Sequence, residues 1–345
     1  MALPALPSVL IVDDEPAVRD IMSRWVASLG LTARTACGAD EALDTLRDAP
    51  CDLAVIDVMM PGHDGLWLAT ELQREHPHTA VVLATAYTSL LEGDTGQPRP
   101  IADLLIKPFA RDRFALAVDR GRRWRKDAID EQQWHASLLV EVRDRTMAAR
   151  RELECRVGEE ADEVDALTAL LAERVPDSLA HGERVARYAR SLGRELGRDG
   201  APGADEATLE LAARFHDVGR LAMPDALLTK PSPLTETEVA ITRRLVDAGA
   251  EILAGSRTLG LLAPIVRASR EWFGGGGHPG ELAGSAIPLA SRIIAVADAY
   301  DSMTQSRLYR SQLTSAEAVA ELLRCSDVQF DPDIVVTFLS ILARH

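Results

Sequence analysis

Two sets of polar residues in this chain have the types and spacing for chemistry. The first is Asp13, Asp14, Asp57, Thr85 and Lys107. Each ends or follows one of the short apolar runs SVLIV (8–12), CDLAVI (51–56), AVVLAT (80–85) and IADLLI (101–106). Ligands of open α/β sheets bind at the carboxyl ends of the strands, so three carboxylates, a hydroxyl and an ammonium would converge there. Hard oxygen donors of this kind suit Mg²⁺. A carboxylate beside such an ion can act as a nucleophile toward a phosphoryl donor, and the lysine and threonine can hold the phosphoryl oxygens. The second set is His181, His216, Asp217 and Asp298. The adjacent His216 and Asp217 in LAARFHDVGRL can offer one point an imidazole nitrogen and a carboxylate oxygen, donors suited to zinc, manganese or iron. A single His-Asp pair on a half-apolar helix is more often a core histidine beside a surface carboxylate. Two histidines and two aspartates, all on stretches whose neighbours look buried, need a metal or each other.

The elements that must position these residues alternate at first. Amphipathic stretches such as PAVRDIMSRWVASLG, ending in a glycine suited to a helix C-terminus, separate the apolar runs, and LTARTA (31–36) is a weaker strand candidate. The βαβ pattern predicts a doubly wound parallel sheet over residues 1–123. No proline occurs between Pro108 and Pro176, and residues 124–172 read as a long connecting helix. Its apolar or small residues at Leu139, Val142, Thr146, Ala149 and Leu153, and again from Val157 to Leu171, form an imperfect coiled-coil seam broken near Gly158. A parallel homodimer through this helix is the expectation; the alternative is one amphipathic helix packed on its own domains. Residues 173–345 read as all-helical. Pro176 opens a helix, and Thr235 with Glu238 and Thr314 with Glu317 form capping boxes. The three-residue recurrence of Leu209, Ala212, Phe215 and Val218 puts His216-Asp217 on a helix. Asp298 and Asp301 lie about one turn apart in PLASRIIAVADAYDSM.

Composition narrows the partners. The 345 residues carry a net charge of −15, which argues against DNA, since phosphate backbones need basic patches. Cys37, Cys51, Cys155 and Cys325 show no metal or redox spacing and read as free thiols of a reducing cytosol. No window is apolar and long enough to span a membrane, so the expected location is cytoplasmic.

The stretches IVDDE, AVIDVMMPGHDG, ATAY and LLIKPF closely resemble the response-regulator receiver family. The resemblance implies Asp57 as phosphoacceptor, Asp13 and Asp14 as Mg²⁺ holders, Thr85 and Lys107 as reporters of the phosphoryl group, and a sensor histidine kinase as partner. Pro61, Gly62 and Gly65 match the loop after the acceptor, and Lys107-Pro108 matches a junction that is often cis in the family. The aromatic usually found three residues before the lysine is Leu104 here, which departs from the usual aromatic switch.

The second half resembles the HD superfamily of metal-dependent phosphohydrolases, and its HD-GYP branch in particular. The resemblance runs through HGERVARYA, FHDVGRLAMPDALLTKPSPLT, GAEIL, PLASRIIAVADAYDSMT and SRLYR. It implies hydrolysis of cyclic di-GMP at a site of two or three metal ions, and a role for His181, His216, Asp217 and Asp298 in holding one transition metal (Fe, Mn, Ni or Zn). The family's further metal-binding histidine falls at Leu245, and its adjacent pair at Ser269 and Arg270. Its loop tyrosine is His278, and the lysine after its His-Asp motif is Arg220. After residue 160 the only histidines are His181, His216, His278 and His345, too few for the multi-metal site. Asp177 sits where some members place a third-metal carboxylate. Arg307 and Arg310 match basic residues near substrate phosphates, and Lys230 matches a family position. His278, in a run of glycines, is either a substitute ligand or part of a flexible surface loop. The expected function is therefore a response regulator with a degenerate cyclic di-GMP output, weak or inactive as a phosphodiesterase and acting by binding a nucleotide or a signalling protein. The alternative is an active phosphohydrolase with a reduced metal site.

Overall fold

The computed structural model describes residues 8–86, 101–159, 162–198, 205–305 and 312–344. It divides into two compact units, Met1–Trp134 and His135–His345.

In the first unit the apolar runs form strands β1 (Ser8–Val12), β2 (Thr32–Ala36), β3 (Leu53–Asp57), β4 (Ala80–Thr85) and β5 (Asp103–Ile106). They pair in parallel in the order β2-β1-β3-β4-β5. Every residue of β3 and β4 is buried, as a strand covered on both faces requires. Side-chain alternation splits the core into two layers. Leu10, Val12, Ala54 and Ile56 pack on one face; Val9, Ile11, Val55 and Val82 pack on the other. The polar TARTA forms an edge strand, which tolerates its half-exposed side chains. Helices α1 (Pro16–Ser28), α2 (Ala39–Asp48) and α3 (Gly65–Glu75) join the strands, and Asp64 caps α3 by accepting from the Trp67 amide at 2.8 Å.

Helix α4 runs from Arg111 to Glu159, and the boundary between the units falls within it. Its first turns bury Phe114, Ala117 and Val118 in the receiver-side core. Further along, the expected dimer seam is occupied differently. Leu138 and Val142 pack with Met223, Leu227 and Leu245, while Ala149 and Leu153 join the main core of the second unit. Thr146 is buried and donates to the Val142 carbonyl. The seam thus packs on the chain's own helices, because its small and short residues fit closely packed neighbours better than a knobs-into-holes partner.

The second unit is helical: α5 (Glu163–Arg174), α6 (Pro176–Arg198), α7 (Glu206–Arg214), α8 (Asp225–Leu228), α9 (Glu236–Arg243), α10 (Leu245–Ala254), α11 (Ala263–Arg267), α12 (Leu289–Thr304), α13 (Ser315–Arg324) and α14 (Pro332–Leu342). Both predicted capping boxes are present, at the starts of α9 and α13. No helix among the described residues is long and apolar enough to cross a membrane.

Candidate functional site

In the first unit the sheet register does the positioning. Asp57 ends β3 beside Ala84, and Thr85 ends β4 beside Ile106, one residue before Lys107. Carboxylate oxygens of Asp13, Asp14 and Asp57 lie within 4.8 Å of one another, with Asp13 and Asp57 buried and Asp14 exposed. The Lys107 ammonium reaches Asp13 Oδ2 at 2.8 Å and Asp57 Oδ2 at 3.0 Å. Burial alone would lower the Lys107 pKa, but these two carboxylates more than offset it and hold it above its ordinary value. Three carboxylates at one point fit Mg²⁺, and the mutual repulsion of Asp13 and Asp57 is relieved by the lysine between them. The Lys107-Pro108 bond is cis.

In the second unit the ligand candidates come from three places. His181 lies on α6, Asp298 on α12, and His216-Asp217 in the turn after α7. The predicted helix through 216–217 stops at Arg214, and a 3-10 turn begins at Val218. The break tucks His216 under α7, where Nδ1 donates to the Ala213 carbonyl at 2.8 Å. Gly182, next to His181, permits the close approach of α6 and α7: a Cβ there would lie 2.0 Å from the Arg214 carbonyl oxygen.

Ligand atoms of His181, His216 and Asp217 lie within 4.8 Å of one another. Asp298 Oδ1 is 2.9 Å from His181 Nε2 and 3.8 Å from His216 Nε2. With Nδ1 committed to a carbonyl, His216 Nε2 is buried and has no hydrogen-bond partner. An orphaned imidazole nitrogen facing two carboxylates fits a single divalent ion. Asp217 stays ionised. Burial opposes its charge, but His216, Arg270 and Arg220 hold its carboxyl at about 2. Arg270 Nη2 donates to Asp217 Oδ1 at 3.1 Å, and Arg220 Nη1 stands 3.8 Å from Asp217 Oδ2.

Residues 9–119 match the response regulator receiver domain family, and residues 165–334 match the HD domain family. The chain is a response regulator that pairs a receiver domain with an HD domain. It is 29% identical to "Cyclic di-GMP phosphodiesterase response regulator RpfG" of Xanthomonas campestris pv. campestris over 338 residues, covering 96% of this chain and 87% of that protein. It is 27% identical to a "Cyclic di-GMP phosphodiesterase" of Thermotoga maritima over 340 residues, covering 97% and 90%. A "3'3'-cGAMP-specific phosphodiesterase 2" of Vibrio cholerae is 33% identical over 162 residues, 46% of this chain and 30% of that protein. A receiver domain implies a phosphodonor such as a histidine kinase, and both domains imply dependence on divalent metals in general.

Three of the positions where the resemblance implies metal-binding histidines have structural occupations of their own. Leu245 is buried in an apolar cluster with Leu138, Val142 and Ile241. Ser269 is buried and donates its hydroxyl to the Val266 carbonyl at 2.8 Å. Arg270 points its charge at Asp217. The loop of 271–284 differs from the flexible surface loop considered from its glycines. The buried Glu271 carboxylate accepts from the amides of Gly280, Glu281 and Leu282 at 2.8–3.1 Å, and the His278 amide donates to the Arg270 carbonyl at 3.0 Å. His278 Nε2 faces Asp247 Oδ2 at 3.5 Å instead of a metal point.

The accessory candidates separate. Arg220, Arg270 and His278 line one cavity of about 570 Å³ together with Asp217 and Asp298. Lys230 is taken up by Glu238, the carboxylate of the α9 capping box. Asp177 is exposed on the first turn of α6 and is outside the ligand cluster. Arg307 and Arg310 lie outside the described residues.

The sequence places Asp301 one turn from Asp298 but assigns it no role. Its carboxylate is buried, accepts from His181 Nδ1 at 2.7 Å, and is gripped by Arg184 through Nε and Nη2, each at 2.9 Å. This fixes the ring so that Nε2 faces Asp298. The available signal was an aspartate one turn after Asp298 on an otherwise apolar helix.

Proposed function

We propose that phosphorylation of Asp57 controls an HD output that binds a cyclic dinucleotide with at most one metal ion and turns it over slowly or not at all. The observation that carries this reading is the Arg270–Asp217 ion pair at 3.1 Å. It puts a fixed positive charge on the carboxylate that a second ion would share, while Leu245 and Ser269 are committed to packing and to a backbone carbonyl.

One ion held by His181, His216, Asp217 and Asp298 would polarise a phosphoryl oxygen and activate a water. The chain's own groups prepare that place. Asp301 and Arg184 orient His181, the Ser302 hydroxyl donates to Asp298 at 3.0 Å, and the Ala213 carbonyl orients His216. A second reading, an active phosphodiesterase on the reduced site, is favoured by the complete quartet and by the names of the relatives that span most of the chain.

The discriminating experiment compares cyclic di-GMP turnover by the metal-loaded full chain with that of the variant Leu245→His, Ser269→His, Arg270→His. The expected result is more than one ion per chain in the variant and turnover at least ~100-fold above the parent, since a second ion supplies several kcal/mol of charge stabilisation. Parent turnover well above the uncatalysed rate and equal to the variant's would support the second reading.

A further inference from the structure

The cavity beside the quartet gathers three arginines in a chain of net charge −15, where they balance the three carboxylates that line it. Arg220, Arg243 and Arg270 line it, against the carboxylates of Asp217 and Asp298. Glu271 also lines it, but its oxygens are engaged by loop amides. The Arg243 side chain, at the exposed end of α9, has no hydrogen bond or ion pair among the described residues; Arg220 stands 3.8 Å from Asp217 and its buried Nε has no partner. Arg270 gives one N–H to Asp217. Guanidinium groups keep their charge at any working pH and match phosphate oxygens in pairs, so unspent donors in a concave site form a phosphate-binding device. Low-dielectric walls strengthen its field. At the rim of the same cavity stands Trp272, 40% exposed, although the indole of a soluble protein is ordinarily well covered. An exposed aromatic face beside arginines suits a base attached to the phosphate.

From this arrangement we infer a metal-independent nucleotide subsite: Arg270 and Arg243, with Arg220, grip the phosphodiester, and Trp272 stacks on a base. The inference rests on the reading of the HD domain as a cyclic-dinucleotide binder and deepens it. In the family pattern ions neutralise the phosphate; here arginine stands at one of their ligand positions and performs that neutralisation itself. Binding and metal loading are then separable in this chain. Arg270 is shared between Asp217 and the phosphate, and an ion on the quartet would release it toward the phosphate by taking over the charge of Asp217.

The test uses the full chain stripped of metal with a chelator, titrated with cyclic di-GMP and with pyrophosphate as a base-free phosphate probe. Stripped protein is expected to bind cyclic di-GMP with a Kd within ~10-fold of the metal-loaded protein, as charge-assisted hydrogen bonds carry the affinity. Arg243→Gln, an exposed position whose change leaves the fold intact, is expected to weaken both probes roughly tenfold. Trp272→Ala is expected to weaken cyclic di-GMP roughly tenfold and to leave pyrophosphate unchanged. Binding of cyclic di-GMP only after metal is restored would overturn the inference while leaving the low-turnover reading intact. Equal loss of both probes in Trp272→Ala would overturn the stacking assignment. Rapid turnover by the metal-loaded protein would instead defeat the low-turnover reading, and the stripped-protein titration would still decide this one.

Discussion

The receiver cluster and the HD cluster both gather carboxylates around a place for a divalent ion, yet in the first a lysine bridges two of them and in the second an arginine pairs with one. The receiver places Asp57 and Thr85 at the ends of adjacent strands whose register is fixed by backbone pairing. Lys107 spans Asp13 and Asp57, so losing the lysine leaves two buried carboxylates uncompensated. The HD site draws its groups from α6, α12 and the turn after α7, with further positions at 245, 269 and 270. Each of those can be rebuilt locally. A leucine can sink into a neighbouring apolar cluster, a serine can find a carbonyl, and an arginine can turn a metal-sharing carboxylate into an ion pair. A site assembled from separate helices can therefore change single positions without changing the fold.

The comparison breaks first if the receiver is not the chemically complete site. Asp57→Asn is expected to reduce Mg²⁺-dependent incorporation of acid-labile phosphate from a small phosphodonor to background, because the amide cannot form the acyl phosphate. Labelling that survives at the parent's level would mean that another carboxylate accepts the phosphoryl group. The fold should be unaffected, since Asp57 sits at the end of β3 and its backbone pairing does not involve the side chain.

A second break concerns the retained half of the HD site. His216→Ala is expected to remove the bound transition metal, read as metal per chain after gel filtration. Asp301→Asn is expected to weaken metal affinity by ~10–100-fold, the usual effect of removing the carboxylate that orients a ligating histidine. Unchanged affinity in Asp301→Asn would mean that the hydrogen bond to His181 Nδ1 at 2.7 Å is purely structural.

Much of this was legible in the sequence, and the exceptions have physical causes. Strands β1, β3 and β4 are buried on both faces, so their apolar runs mark them plainly. The residues after those runs point to the cluster in which Asp13, Asp14 and Asp57 meet. His181, His216, Asp217 and Asp298 were legible as a set because buried charge needs company. Three features were not. The turn at His216-Asp217 lies inside a helical period that continues from Leu209 to Val218, so periodicity alone cannot see the break. The α4 seam has heptad-like spacing that serves equally for a second copy or for the chain's own helices, and only packing distinguishes them. Arg243 ends a short amphipathic helix, and nothing in its spacing brings it to the cavity.

The finest test of the comparison is the pH response, because the two sites hold their cations differently. Lys107 remains charged throughout the accessible range. In the HD site a proton and a metal compete for His181. Burial works against the charged ring, but Asp298 and Asp301 outweigh it and lift the pKa to about 9 from the ordinary 6.5. A pKa raised by folding contributes stability that is fully present below the unfolded value and lost as pH rises through the folded one. Metal-free protein is therefore expected to lose thermal stability between about pH 6.5 and about pH 9, with the HD transition moving by a few degrees. Loaded with metal, the same transition should be nearly flat there, because the ion takes the place of the Nε2 proton. Asp301→Asn, lacking one of the two carboxylates, should show a smaller decline in the metal-free state. A metal-free transition that does not move across that window would mean that His181 is neutral between Asp298 and Asp301, and that the HD site is not held together by a proton when the metal is gone.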